Sequence, residues 1–307
     1  MHRRFQRVLP VVLALSIAAP GALSAQCAVC DDHAPRLRGE ALTLATNALL
    51  GGVTAGVRRM LAGGSFGEGF APGAAGGALT YAGKRIAVEE FDGAGLLGRE
   101  VAAVGSSISR NAAEGRPALE SVMLPAGPVR LYLGGEGAPV HLRLDAAAVV
   151  AAAYTMTLPD TRFDAGESLS SGALVFHRAG RPEALGYNGA QAAGVVQVRR
   201  PGGFDAPLDA RLREQVERTT RHERVHVIQY DQSFLLWSAP AEAWLMEMTP
   251  LTRAISRYVD LGLNAPAMAG LGAAVPYDYR PWEGEAYFLS RTRANPGDDV
   301  FVPSASR

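Results

Sequence analysis

Val129-Arg130-Leu131-Tyr132-Leu133 alternates along its length, and Val140-His141-Leu142-Arg143-Leu144 does so again after the turn formers Gly134-Gly135. A period of two belongs to strands, whose successive side chains point to opposite faces. Ala173-Leu174-Val175-Phe176 and Val195-Val196-Gln197-Val198 are further short apolar runs. Pro159-Asp160, Gly180, Pro182 and Asn188-Gly189 punctuate the stretch as turns. Residues 118–200 are therefore expected to form a mostly antiparallel β-sheet. His141 and His177 fall inside it as isolated strand histidines and read as structural.

On both sides of this zone the period becomes helical. Residues 26–117 are rich in Gly and Ala, and Leu42 to Leu61 carries apolar residues at helical spacing. Gly51, Gly52 and Gly56 fall on or near one side, followed by Gly73, Gly76 and Gly77. Small residues four apart let helices approach closely, in water or in lipid. Arg58, Arg59, Lys84 and Arg85 interrupt the apolar runs, so no segment reads as a membrane span. A soluble helical layer with close-packed glycines is the expectation, and peripheral membrane contact through this region is the alternative. Pro201-Gly202-Gly203 ends the sheet zone, and residues 201–307 read as helical again. Asp205 or Asp209 is placed to cap a helix reaching about Tyr230. Further helical stretches run from about Ala239 to Leu261 and from about Glu283 to Arg293. Helical ends around a separate sheet zone make an α+β chain.

The 307 residues suffice for one large or two modest domains. Lysine plus arginine and aspartate plus glutamate number 30 each, a balance that argues against general nucleic-acid binding. Arg3, Arg4 and Arg7 precede the apolar run Val8 to Ala19, and small residues follow Pro20. Residues 1–25 thus read as a signal peptide cleaved after Ala25, or after Ser24, and the chain as exported to the periplasm or beyond. The apolar run is short of the roughly 20 residues that a spanning anchor needs. Cys27 and Cys30 are the only cysteines; Gln26 before the pair speaks against a lipoprotein and Asp31 after it against haem attachment. In an oxidising compartment a local disulfide is expected; a zinc there would need Asp31 or His33 as well.

The chemistry concentrates in His222-Glu223-Arg224-Val225-His226-Val227-Ile228-Gln229. Two histidines four apart on a helix project from one side and can share one metal ion, for which neutral imidazole suits zinc. Glu223 lies about 100° further round, able to miss the metal yet reach a water bound to it. With six histidines in the chain, chance supplies H-E-x-x-H in fewer than roughly one such sequence in a hundred. On a helical wheel Leu212, Val216, Thr219, Glu223, His226 and Tyr230 cluster, with His222 at their edge, so the motif points inward with the apolar stripe. A third ligand is required. Glu242 and Glu247 follow on the next helical stretch, and Glu283 and Glu285 further on. Tyr230, Tyr277, Tyr279, Tyr287 and several arginines are candidates to stabilise an oxyanion, and the sequence selects none of them.

Gln229 after the motif and Trp282-Glu283-Gly284-Glu285-Ala286-Tyr287 downstream resemble the H-E-x-x-H-x-x-Q and E-x-E-A elements of zincin-like, gluzincin-type metallopeptidases. The resemblance covers about residues 221 to 288, and the N-E-x-x-S-D element of the thermolysin type is absent. It implies a zincin-like C-terminal region with His222, His226 and Glu285 as zinc ligands, Glu283 as the alternative third ligand, and Glu223 as general base. The implied activity is hydrolysis of peptide or protein substrates. The Gly-rich N-terminal zone resembles exported bacterial proteins, which implies no activity. The alternative function is a non-catalytic, envelope-associated structural or interaction protein with a degenerate or structural metal site.

Overall fold

A computed structural model describes residues 34–135, 139–179, 189–200, 203–204, 207–246, 248–275 and 280–290. The signal-peptide reading, Cys27 and Cys30, Asp205, Glu247, Tyr277 and Tyr279 lie outside the described residues. The chain is α+β.

Three long helices form the N-terminal layer: α1 (Ala34–Leu61), α2 (Phe66–Ala87) and α3 (Ala94–Glu114). Ser65 caps α2 in a reciprocal pair with Glu68, which satisfies two backbone donors at the helix start. The glycines set the spacing. A Cβ on Gly77 would collide with the Asn47 carbonyl of α1, and one on Gly83 with the Gly98 carbonyl of α3. The expected close-packed layer is thus present, with backbones in direct contact at these positions.

Two four-stranded sheets follow where one mostly antiparallel sheet was expected. The first runs β1 (Ser121–Ala126), β2 (Val129–Gly134), β3 (Val140–Asp145), β8 (Val259–Asp260), with β8 parallel to β3. The second runs β4 (Thr161–Asp164), β5 (Leu174–Ala179), β7 (Val195–Arg200), β6 (Gly189–Ala192), with β5 and β7 parallel. Both sheets are mixed because a late strand returns to each by a crossover, which local periodicity does not announce. Two helices also divide the zone, α4 (Ala146–Thr157) and α5 (Ala165–Ser171). Asp145 and Asp164 cap them by accepting from the Ala148 and Glu167 backbone amides.

The alternation in β2 and β3 is inverted. Arg130 and Tyr132 are buried, while Val140, Leu142 and Leu144 are exposed. Arg130 pairs with Asp145 and Asp260, Tyr132 donates to Asp260 at 2.7 Å, and Phe234 lies beneath the guanidinium 3.4 Å away. A buried charge is tolerated only when paired and hydrogen-bonded, as it is here.

The C-terminal part holds α6 (Ala210–Ser233), a π-helical stretch (Phe234–Ser238), α7 (Ala239–Met246), α8 (Pro250–Ile255), α9 (Asn264–Ala274) and α10 (Pro281–Ser290). The helix expected over Ala239 to Leu261 is therefore two shorter helices and strand β8. Glu242 ties this segment down by accepting from the Leu261 and Leu263 amides at 2.7 and 3.0 Å. None of the described helices is long and apolar enough to cross a membrane.

Candidate metal centre

Helix α6 begins where Asp209 accepts from the Leu212 amide at 2.8 Å. Its first turns are largely exposed, but from Thr220 onward it enters the interior and is covered on several sides. Val225 packs with Tyr81, Val88, Ala286 and Leu289. Val227 packs with Ala173, Val175, Val196 and Val198, and Ile228 with Ala87 and Ala102. The helical layer, the second sheet and α10 therefore all hold the motif-bearing turns of α6. The single inward stripe expected from the wheel is instead a helix buried nearly all round at this end.

His222, Glu223 and His226 are 6, 5 and 9% exposed. The Nε2 atoms of the two histidines lie 3.0 Å apart. Glu283 Oε2 lies 3.2 Å from His226 Nε2 and 3.3 Å from His222 Nε2. These three atoms make a nearly equilateral triangle. Ligands about 2.0–2.1 Å from a tetrahedral zinc are separated by about 3.3 Å, so the triangle has the size of one face of such a coordination shell. The Tyr287 ring covers His222, with centroids 4.5 Å apart.

Helix α10 decides which glutamate arrives. Residues two apart on a helix point about 200° apart, so Glu283 and Glu285 cannot both face α6 histidines. Glu283 joins the triangle. Glu285, expected first as the third ligand, turns instead to the N-terminal layer. It accepts from Asn47 Nδ2 at 2.6 Å, Lys84 Nζ at 2.9 Å and Gln229 Nε2 at 2.7 Å. Burial raises its pKa, but the Lys84 charge and these hydrogen bonds outweigh that and hold it below the ordinary range. The other candidates are engaged elsewhere. Glu242 serves backbone amides, and the Tyr230 hydroxyl donates to Asp145 at 3.0 Å, so neither faces the triangle.

Burial pushes Glu223 up to about 7, with the His226 charge opposing and the Glu283 charge adding. Glu283 goes the other way: burial would raise it, but its hydrogen bonds to His222 and His226 and their charge hold it far below the carboxylate range. Burial lowers His222, whereas for His226 the adjoining Glu283 overcomes burial and raises the ring to about 9. Divergent pKa values on adjacent carboxyls are the pattern by which one acts as acid or base while the other stays ionised.

Asp164, Glu167 and His177 form a second group with clustered ligand atoms. His177 Nε2 lies 2.8 Å from Glu167 Oε2 and 3.4 Å from Asp164 Oδ2. The sequence reading missed Lys84 as a partner of the site and passed over Asn47. The one available signal was a lysine set in the Gly-rich apolar run around Gly83. Comparison with family models, curated proteins and solved structures returns no match.

Proposed function

We propose that His222, His226 and Glu283 hold a zinc ion and that the protein is a hydrolase, acting on peptide bonds, with Glu223 as general base. The observation that carries this reading is the triangle of two imidazole nitrogens and one carboxylate oxygen, 3.0–3.3 Å on a side, with the buried Glu223 next to His222 in sequence and feeling the charges of His226 and Glu283. A zinc held there would supply Lewis acidity and would lower the pKa of water toward about 7. Glu223 would be the carboxylate that takes a proton from water and returns it to a leaving amine. Tyr287 packs its ring on His222, and this reading takes it as the candidate to steady developing negative charge. The choice of peptide bonds follows the resemblance of the motif to gluzincin-type peptidases. The signal-peptide reading of residues 1–25 would put that activity outside the cytoplasm.

A structural metal site in a non-catalytic envelope protein is the second reading, and the burial of the two histidines, with Glu283 partly buried beside them, favours it. Catalytic zinc keeps an open coordination position, whereas structural zinc is closed. Metal analysis and hydrolysis of an unfolded protein substrate separate the two. The hydrolase reading expects about one zinc in the wild type, none in His226→Ala, and retained zinc without activity in Glu223→Gln. Zinc retained in His226→Ala would sink the site. Zinc bound with no hydrolysis by the wild type would favour the structural reading.

A further inference from the structure

We propose that Gln229 and Glu285 form a positioning relay, anchored on Lys84 and Asn47 of the N-terminal layer, that fixes which nitrogen of His226 faces the metal position. This rests on the reading of His222, His226 and Glu283 as ligands.

The hydrogen bonds leave each member one orientation. Gln229 Nε2 donates to Trp282 O at 3.0 Å and to Glu285 Oε2 at 2.7 Å, both of which only accept. The amide nitrogen is therefore committed there, and Gln229 Oε1 is left facing His226 Nδ1 at 2.7 Å. A carbonyl oxygen only accepts, so Nδ1 must carry the hydrogen. The neutral ring then presents its Nε2 lone pair to the triangle, the tautomer a metal needs.

Glu285 is fixed in turn. Asn47 Oδ1 accepts from Lys84 Nζ at 2.8 Å, which turns Asn47 Nδ2 toward Thr43 O at 2.9 Å and Glu285 Oε1 at 2.6 Å. Lys84 is 1% exposed and gives its charge to Glu285. The backbone contact at Gly77 lets α1 and α2 close around this pair. A buried Lys84–Glu285 ion pair alone would account for the anchoring. It would not account for an amide inserted between the carboxylate and the imidazole, with each of its polar atoms matched. Partners behind ligand histidines fix the tautomer and raise ligand basicity.

Nitrogen-15 shifts of the His226 ring in full-length, metal-free protein, at a pH where both rings are neutral, read the tautomer directly. The wild type should show protonated Nδ1 and unprotonated Nε2. Gln229→Leu should give a mixture of the two forms and bind zinc about 10–100-fold more weakly in competition with a chelating dye. Lys84→Met should move both readouts the same way, by less. An unprotonated Nδ1 in the wild type overturns the relay, and so does Gln229→Leu with unchanged tautomer and affinity. Should Gln229→Leu not fold, Gln229→Met takes its place with the same expectations. A wild type that binds no zinc overturns the metal reading instead, and the ring shifts still decide the relay.

Discussion

Two groups of histidine and carboxylate flank α6, and they use their atoms differently. In the triangle, two imidazole nitrogens face each other 3.0 Å apart across one carboxylate oxygen. Something must lie between two such lone pairs, either a proton or a metal. In the second group one imidazole faces two carboxylates, at 2.8 and 3.4 Å, and a single proton on His177 Nε2 completes it. Asp164 is further engaged as the cap of α5. The backing differs as well. His226 Nδ1 meets Gln229, whereas His177 Nδ1 is buried without a hydrogen-bond partner among the described residues. A metal on His177 Nε2 would leave an Nδ1 hydrogen with nothing to accept it. Clustered ligand types are therefore a weaker signal than surplus lone pairs with a matched partner behind them.

The largest expected effect tests the comparison at its root. His226→Ala should weaken zinc binding by at least about a hundredfold, as loss of one of three ligands implies, while His177→Ala leaves it unchanged in the same dye titration. Equal losses would erase the distinction. Next, Glu223→Gln should retain zinc and lower hydrolysis by about 10²–10⁴-fold, the worth of a general base; steady-state rates on a protein substrate measure it.

The third expectation is a contrast of sign with pH in metal-free protein. Glu223 is raised in the folded chain, so it favours folding at low pH and that contribution is lost as pH rises from the unfolded value toward about 7. Glu223→Gln should thus stabilise the apo-protein at pH 8 by on the order of 3 kcal/mol, with little effect near pH 4. Glu167 is lowered: burial would raise it, but its hydrogen bond to His177 and that ring's charge prevail. It favours folding above its unfolded pKa and loses this as pH falls through its folded value. Glu167→Gln should accordingly destabilise at pH 7 by about 1–3 kcal/mol, and less in acid. Urea titrations across pH follow both. The smallest effect belongs to Asp164→Asn, which keeps the cap acceptor and should cost less than about 0.5 kcal/mol.

The sequence made α6, its Asp209 cap and the runs of β2, β3, β5 and β7 legible, because each is written in local period and a nearby capping residue. Helix α4 was not, because Ala146 to Ala153 is small and apolar on every side and sits among strands. The inverted face of β2 was not, because Arg130 is buried by Asp260, a partner far along the chain. His222 and His226 face each other at 3.0 Å, as two residues four apart on one helix can. The choice between Glu283 and Glu285 turned on the rotation of a helix that carries both. Lys84 and Asn47 meet Glu285 across separations of 201 and 238 residues, beyond the reach of any window.

Helix α10 supplies Glu283 to one group and Glu285 to the other, and it is the last described element to be synthesised. A ribosome has therefore released Asn47, Lys84 and both site histidines before either glutamate exists. Until α10 docks, Lys84 is a cation without its carboxylate and the histidines lack their third neighbour. Completion of the centre thus waits on the synthesis and docking of α10, and a fragment cut short before Pro281 lacks both Glu283 and Glu285.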